Sequence, residues 1–265
     1  RQNPGHLKAT GRPAMSALLQ PRQGSRLFVE LASSPQDVLA SQQLRYRVFA
    51  EEMGADLGSG DPGIDTDRFD LHCQHLLVRE TTTRRIVAST RLLDEEGAAG
   101  AGGFYSETEF DLQQIIALQG RKLEIGRTCV DPGYRSGAAI AVLWSGLAGY
   151  IHLKQVDFLF GCASIDMSDD GVLATAIMNR LRHHAFASAD RRVKPRRPVP
   201  PVTADDTAIA APLPPLLKAY VRLGARACGE ACWDPGFGVA DVFMLLDIDE
   251  LDPTYSRHFM DRAEE

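Results

Sequence analysis

The chain has 265 residues, which allows one large domain or two small ones. Its 44% hydrophobic and 24% charged content is ordinary for a soluble globular protein. No apolar run reaches the roughly 20 residues that a membrane helix needs, and no secretory signal is visible, so a cytoplasmic location is expected.

Residues 1–25 are polar and basic and read as a flexible segment, with Met15 as a candidate native start. Residues 26–265 read as one domain, because no second hydrophobic core is evident. Residues 26–32 alternate as a strand. Ser34-Pro35-Gln36-Asp37 is a helix start, and the helix runs to about Glu52. Residues 54–67 are Gly- and Asp-rich loop. Residues 75–80 and 85–93 form an antiparallel hairpin. Residues 97–103 read as a flexible Ala/Gly loop, and 106–118 as a helix with Ser106 and Glu109 as a capping box. A central strand over 122–130 feeds an apolar helix over 138–154. Residues 156–163 are an apolar strand buried on both faces, followed by a helix over 169–187. Residues 194–215 hold seven prolines and form an excursion. A short helix over 215–224 and an apolar strand over 239–248 complete a mixed sheet with helices on both faces.

Charge is uneven. Residues 180–197 hold seven Lys/Arg (Arg180, Arg182, Arg191, Arg192, Lys194, Arg196, Arg197) against Asp190, a net +6. Residues 1–26 add five bases and no acid, so the rest carries −17 of the total −6. Such a patch suits a localised anionic partner, and the scarcity of aromatics beside it argues against nucleic acid. An acidic carrier protein or an anionic lipid surface fits better. The five cysteines are irregularly spaced and read as reduced thiols. No histidine pattern suggests a metal.

The stretch that carries chemistry is Lys122-Leu-Glu-Ile-Gly-Arg-Thr-Cys-Val-Asp-Pro-Gly-Tyr-Arg-Ser-Gly-Ala-Ala. A strand entering a helix through small residues aims unpaired N–H groups at one point, a site for phosphate or pyrophosphate. Glu124, one strand-length away, is placed to take a proton from an amine during acyl transfer. Glu124 and Arg127 would face opposite sides of a regular strand, so both line a site only if Gly126 marks a bulge. Ser164, just past the apolar strand, is a candidate donor to a departing thiol.

The order of elements resembles the GNAT superfamily of N-acyltransferases. In that family an arginine-containing turn of small residues holds the carrier phosphate, which implies Arg135, Ser136, Gly137, Ala138 and Ala139 here, with unusual glycine spacing. Leu44-Arg45-Tyr46-Arg47-Val48-Phe49, Asp67-Arg68-Phe69-Asp70, Thr90-Arg91-Leu92-Leu93 and Leu123-Glu124-Ile125-Gly126-Arg127 resemble motifs of acyl-homoserine lactone synthases. That resemblance implies site positions Arg45, Phe49, Asp67, Asp70, Arg91, Glu124 and Arg127; the family's tryptophan is replaced by Ala55 or a neighbour. Residues 216–225, Trp233-Asp234-Pro235 and Tyr255-Ser256-Arg257-His258-Phe259 resemble the hemolysin-like acyltransferases, which include ornithine N-acyltransferases of ornithine-lipid synthesis.

The resemblance implies transfer of a 3-hydroxyacyl chain from acyl carrier protein to the α-amine of ornithine, giving lyso-ornithine lipid. The acyl-phosphopantetheine thioester is then a substrate, and no bound cofactor or metal is expected. Arg45, Arg91, Asp67 and Asp70 would form a charge network across the amino-acid pocket, or else a structural brace. Arg191, Arg192, Lys194, Arg196 and Arg197 would dock the carrier or the anionic inner membrane. An acyl-homoserine lactone synthase, another long-chain N-acyl amino acid synthase, or a non-catalytic carrier- or membrane-binding module are the alternatives.

Overall fold

The computed structural model describes residues 24–58, 61–202 and 211–251. Most of the N-terminal segment, part of the proline-rich excursion and the Tyr255–Phe259 motif therefore lie outside the described residues. The strands are β1 (Leu27–Leu31), β2 (Gln74–Glu80), β3 (Ile86–Asp94), β4 (Phe110–Asp111), β5 (Lys122–Val130), β6 (Phe158–Asp166), β7 (Lys194–Pro195), β8 (Arg226–Ala227), β9 (Cys232–Asp234) and β10 (Val239–Asp247). The helices are α1 (Pro35–Tyr46), α2 (Glu95–Ala101), α3 (Gln113–Ile116), α4 (Ala138–Lys154), α5 (Val172–His184) and α6 (Pro215–Leu223).

The main sheet has the order β1-β2-β3-β5-β6-β10-β8, with β9 also on β10. Every pairing in it is antiparallel except that of β5 with β6. Period-2 alternation sends Leu76 and Val78 to the face covered by α4, α5 and α6. Leu77 points the other way, against Leu44 and Val48 of α1 and its extension. A third apolar cluster on that side gathers Phe104, Phe110 and Phe160. The helices thus lie on both faces, as the sequence leads one to expect.

Two segments differ from expectation. Residues 95–101 are helical: Asp94 accepts a hydrogen bond from the Gly97 N–H and caps the helix. Its glycines let it lie against His72, whose carbonyl oxygen would be 2.3 Å from a Cβ on Gly97. Residues 106–118 are not one helix. They divide into a 3-10 turn (Tyr105–Thr108), β4 and α3. The capping interaction sits elsewhere, with Glu107 accepting from the Phe104 N–H. Ser106 is drawn instead to Glu124, and Glu109 turns inward.

The feature that makes a site is the parting of β5 and β6. Their pairing covers Lys122–Glu124 against Phe158–Phe160 and then stops. β5 stays with β3 to Val130, while β6 stays with β10 to Asp166. At the parting point a Cβ on Gly161 would lie 2.2 Å from the Ile125 carbonyl oxygen, so only glycine permits this approach. Just beyond, Arg127 and Thr128 together oppose the single residue Thr90, and Arg127 takes the left-handed conformation at φ 51. This is the bulge that the sequence required if Glu124 and Arg127 were to share a face.

Candidate active site

A cavity of about 750 Å³ fills the opening between the parted strands. β5 lines it from Glu124 to Val130, and β6 from Cys162 to Ser164. Its apolar arm runs between Ile140, Ala141 and Trp144 of α4 and Leu216, Leu217 and Tyr220 of α6. Trp144 and Tyr220 meet edge to face, with centroids 5.5 Å apart. At the other end α1 widens into a π-helical turn over Arg47–Glu52, which brings Val48, Phe49 and Met53 to the wall. Phe49 packs edge-on against Phe237.

Glu124 sits at the apex, 3% exposed. Its carboxylate accepts from the N–H groups of Tyr105 (2.6 Å) and Ser106 (2.8 Å) and from the Ser106 hydroxyl. Burial pushes it up to about 7, with these donors pulling the other way. A buried carboxyl poised near neutrality at the edge of a cavity suits proton transfer. The guanidinium of Arg127 lines the same cavity and stacks over Tyr105 and Phe237. Its Nε is buried without a hydrogen bond, although the Asp65 carboxylate lies 3.3 Å away.

Arg45, Asp67, Asp70 and Arg91 do come together, but not on the cavity wall. Arg45 is 1% exposed. It donates to Asp65 Oδ2 at 2.7 Å and to both Asp70 oxygens at 2.7 and 3.0 Å. Arg91 bridges Asp67 and Asp70. Burial alone would raise the Asp70 carboxyl; the hydrogen bonds and charge of Arg45, with the charge of Arg91, outweigh it and hold it well below the usual range. These four residues do not line the cavity, and their ion pairs clamp α1, β3 and the 65–70 loop together, the brace that the sequence left open beside a role in the amino-acid pocket. Asp65, 1% exposed, completes the clamp; nothing in its Gly/Asp-rich loop singles it out.

A second acid group lies on the far wall. One oxygen from each of Glu109, Asp234 and Asp241 falls within 4.8 Å of the others. Asp234 and Asp241 line the cavity, and Glu109 lies behind them, hydrogen-bonded by the Cys162 thiol at 3.4 Å. Ser164 also lines the cavity, but its hydroxyl donates to Asp241 at 2.6 Å, so its proton is committed away from a leaving thiol. Burial raises both the Glu109 and the Asp241 carboxyls, helped by the charge of Asp241 at Glu109 and by that of Asp234 at Asp241, with the Ser164 hydroxyl pulling Asp241 the other way. Among the described residues no Lys or Arg nitrogen comes within 4.0 Å of any of the three.

At the helix turn, Gly137 takes φ 99 and caps α4 without a side-chain bond. Arg135 and Gly137 reach the cavity, whereas Ser136, Ala138 and Ala139 do not line it. Arg135 is held by a two-pronged pair with Glu52. Much of the basic segment is also engaged. Arg191 pairs with Asp247 and Glu250, Arg192 stacks over Phe186, and the Arg196 side chain donates to the Glu107 carbonyl. Lys194 and Arg197 are exposed, and the Arg197 carbonyl accepts from Trp233 N–H, beside Asp234.

No helix among the described residues is long and apolar enough to cross a membrane. Residues 44–145 match the family model described as an acetyltransferase (GNAT) domain. The chain resembles the AHL synthase LasI in structure, with a TM-score of 0.51 at 13% identity, covering 90% of this chain and 96% of that one. That likeness concerns the fold. In sequence it is 38% identical to the L-ornithine N(alpha)-acyltransferase of Brucella abortus, over 92% of each chain. It is 35% identical to that of Rhodobacter capsulatus, over 89% of this chain and 95% of the relative. A mostly antiparallel sheet parted beside a carboxylate-bearing strand, together with identity sustained over nearly the full length, places this chain in the L-ornithine N(alpha)-acyltransferase family within the GNAT fold.

Proposed function

We propose that the chain transfers a 3-hydroxyacyl group from the phosphopantetheine thioester of acyl carrier protein to the α-amine of ornithine, giving lyso-ornithine lipid and the free carrier thiol. The observation that carries this reading is the parting of β5 and β6, with Glu124 at its apex and an apolar arm leading away between α4 and α6. The donor enters past Arg135 and Gly137, where the first N–H groups of α4 face the carrier phosphate. The acyl chain lies along Ile140, Trp144, Leu217 and Tyr220. Arg127, whose guanidinium lines the cavity, meets the acceptor carboxylate.

Glu124 takes a proton as the amine nitrogen bonds to the thioester carbon. The unpaired N–H groups of the parted strands stabilise the oxyanion. As the C–S bond breaks, the proton taken up by Glu124 passes to the departing sulfur, directly or through water, which leaves an amide, a free thiol and an ionised Glu124. Lys194 and Arg197, with their neighbours Arg191, Arg192 and Arg196, attract the acidic carrier, and the same surface suits an anionic inner membrane that receives the product. The test is incubation with 3-hydroxyacyl carrier protein and a mixture of amino acids, with the product identified by mass. An acyl-ornithine dominating the products supports the reading. An acyl-homoserine lactone, or no product with the intact thioester donor, overturns it.

A further inference from the structure

Ornithine differs from most amino acids in carrying a second ammonium, and an enzyme selective for it needs an anion where that group lands. Two sets of carboxylates lie close to the cavity, and only one of them reaches its wall. Asp65, Asp67 and Asp70 are already matched by Arg45, Arg91 and Arg127. Asp234 and Asp241 face the cavity with no matching cation within ion-pairing distance among the described residues, and Glu109 backs them. Arg127, the cation whose charge acts on Asp241, is itself turned toward Asp65 and Asp67.

The two ends of the site also share one cavity, which Glu124, Asp234 and Asp241 all line. Glu124 and Glu109 are linked by two intervening side chains, Ser106 and Cys162, whose oxygen and sulfur are 3.4 Å apart. The two nitrogens of extended ornithine are separated by roughly 6 Å, from standard bond lengths. Because Glu124 and the Asp234–Asp241 wall line the same cavity, an acceptor with its α-amine at Glu124 can extend its side chain toward that wall. The wall is also built to keep its anions in place: Ser164 holds Asp241, and the Gly236 and Phe237 N–H groups hold Asp234.

We propose that Asp241 and Asp234, backed by Glu109, receive the side-chain ammonium of the acceptor and select diamino acids. This rests on the acyltransferase reading above, and it assigns the specificity of the same cavity to residues outside the strand that carries Glu124. It also gives the third acid a purpose, since a single ammonium can donate to three carboxylate oxygens at once.

The experiment compares kcat/KM for ornithine with that for norvaline, which has the same carbon chain and no second amine, using an acyl-thioester donor and the full chain. The native enzyme should prefer ornithine by about 10- to 100-fold, the loss expected when a charge-assisted hydrogen bond goes unmade. Asp241→Asn keeps the acceptor for Ser164 and removes the charge, so the ratio should fall at least about tenfold, carried by KM for ornithine. Thermal melting establishes that the variant is folded; if it is not, Asp234→Asn, nearer the surface of the same wall, is measured in its place. A ratio near one in the native enzyme, or an unchanged ratio in the folded variant, overturns the inference while leaving ornithine acylation standing. Failure of the native enzyme to acylate either amino acid overturns the acyltransferase reading itself.

Discussion

Two groups of three acids flank Arg127, and they differ in what surrounds them. Asp65, Asp67 and Asp70 are met by three arginines, and the Asp70 carboxyl is held well below its usual range. Glu109, Asp234 and Asp241 have no such partners among the described residues, and the buried two have raised carboxyls. Charge balance separates the two roles better than residue type does. A carboxylate with its charge already matched braces the fold, whereas one left short of a cation is available to a ligand.

The largest effect should come from unbalancing the matched group. Arg45→Met leaves Asp65 and Asp70 buried without their main partner, and a loss of about 3–5 kcal/mol in urea unfolding is expected. A loss below about 1 kcal/mol would place Arg45 outside the brace. Next in size is Glu124→Gln, which removes the proposed proton acceptor. Acyl transfer should fall about 10²-fold or more with the fold intact. Activity within about threefold of native at neutral pH would remove Glu124 from the chemistry.

The two groups should also have opposite pH signatures. Asp70 has a depressed folded value, so its stabilisation is present above the ordinary carboxylate range and is lost as pH falls below it. Glu109 and Asp241 have raised values, so they cost nothing at low pH and oppose folding increasingly as pH rises from the ordinary carboxylate range up to their folded values, above which the penalty is constant. Glu109→Gln should therefore raise stability at pH 8 by about 1–3 kcal/mol and change little at pH 5. Equal melting shifts at the two pH values would show that the pair is not short of positive charge.

The smallest effect concerns the surface. Because Arg191, Arg192 and Arg196 are already engaged by the chain, the informative change is Lys194→Ser with Arg197→Ser. KM for acyl carrier protein should rise about two- to fivefold at low salt, and its salt dependence should shrink, with kcat unchanged. An unaltered KM and salt response would move carrier docking elsewhere.

Much of this was legible in the sequence. Ser34 and Pro35 open α1 as their types dictate, and the strand carrying Glu124 could be located from its neighbours. The bulge was implied by the three-residue spacing of Glu124 and Arg127, and the backbone supplies it at Arg127. Glu109 was misread because Ser106 and Glu109 share the spacing of a capping box, and local spacing does not reveal that Ser106 is claimed by Glu124 across the fold. Asp241 had a signal that went unused: an aspartate in the middle of a nine-residue strand that is apolar everywhere else before its terminal Asp247. A charge placed where burial penalises it requires a partner or a task. That Arg45 and Arg91 turn away from the cavity could not be read, because the choice between a brace and a binding contact depends on which side of β5 the 65–70 loop passes.

The contact between Gly161 and the Ile125 carbonyl has a consequence for how the enzyme meets its substrates. Each arm of the opening is fastened to a different neighbour, β5 to β3 and β6 to β10, the latter over nine residue pairs. Neither arm can swing without breaking a ladder, so the gap is a fixed jig rather than a jaw. The width of the slot is decided when the chain folds, and the entropy of assembling the reactants falls on the substrates that enter it.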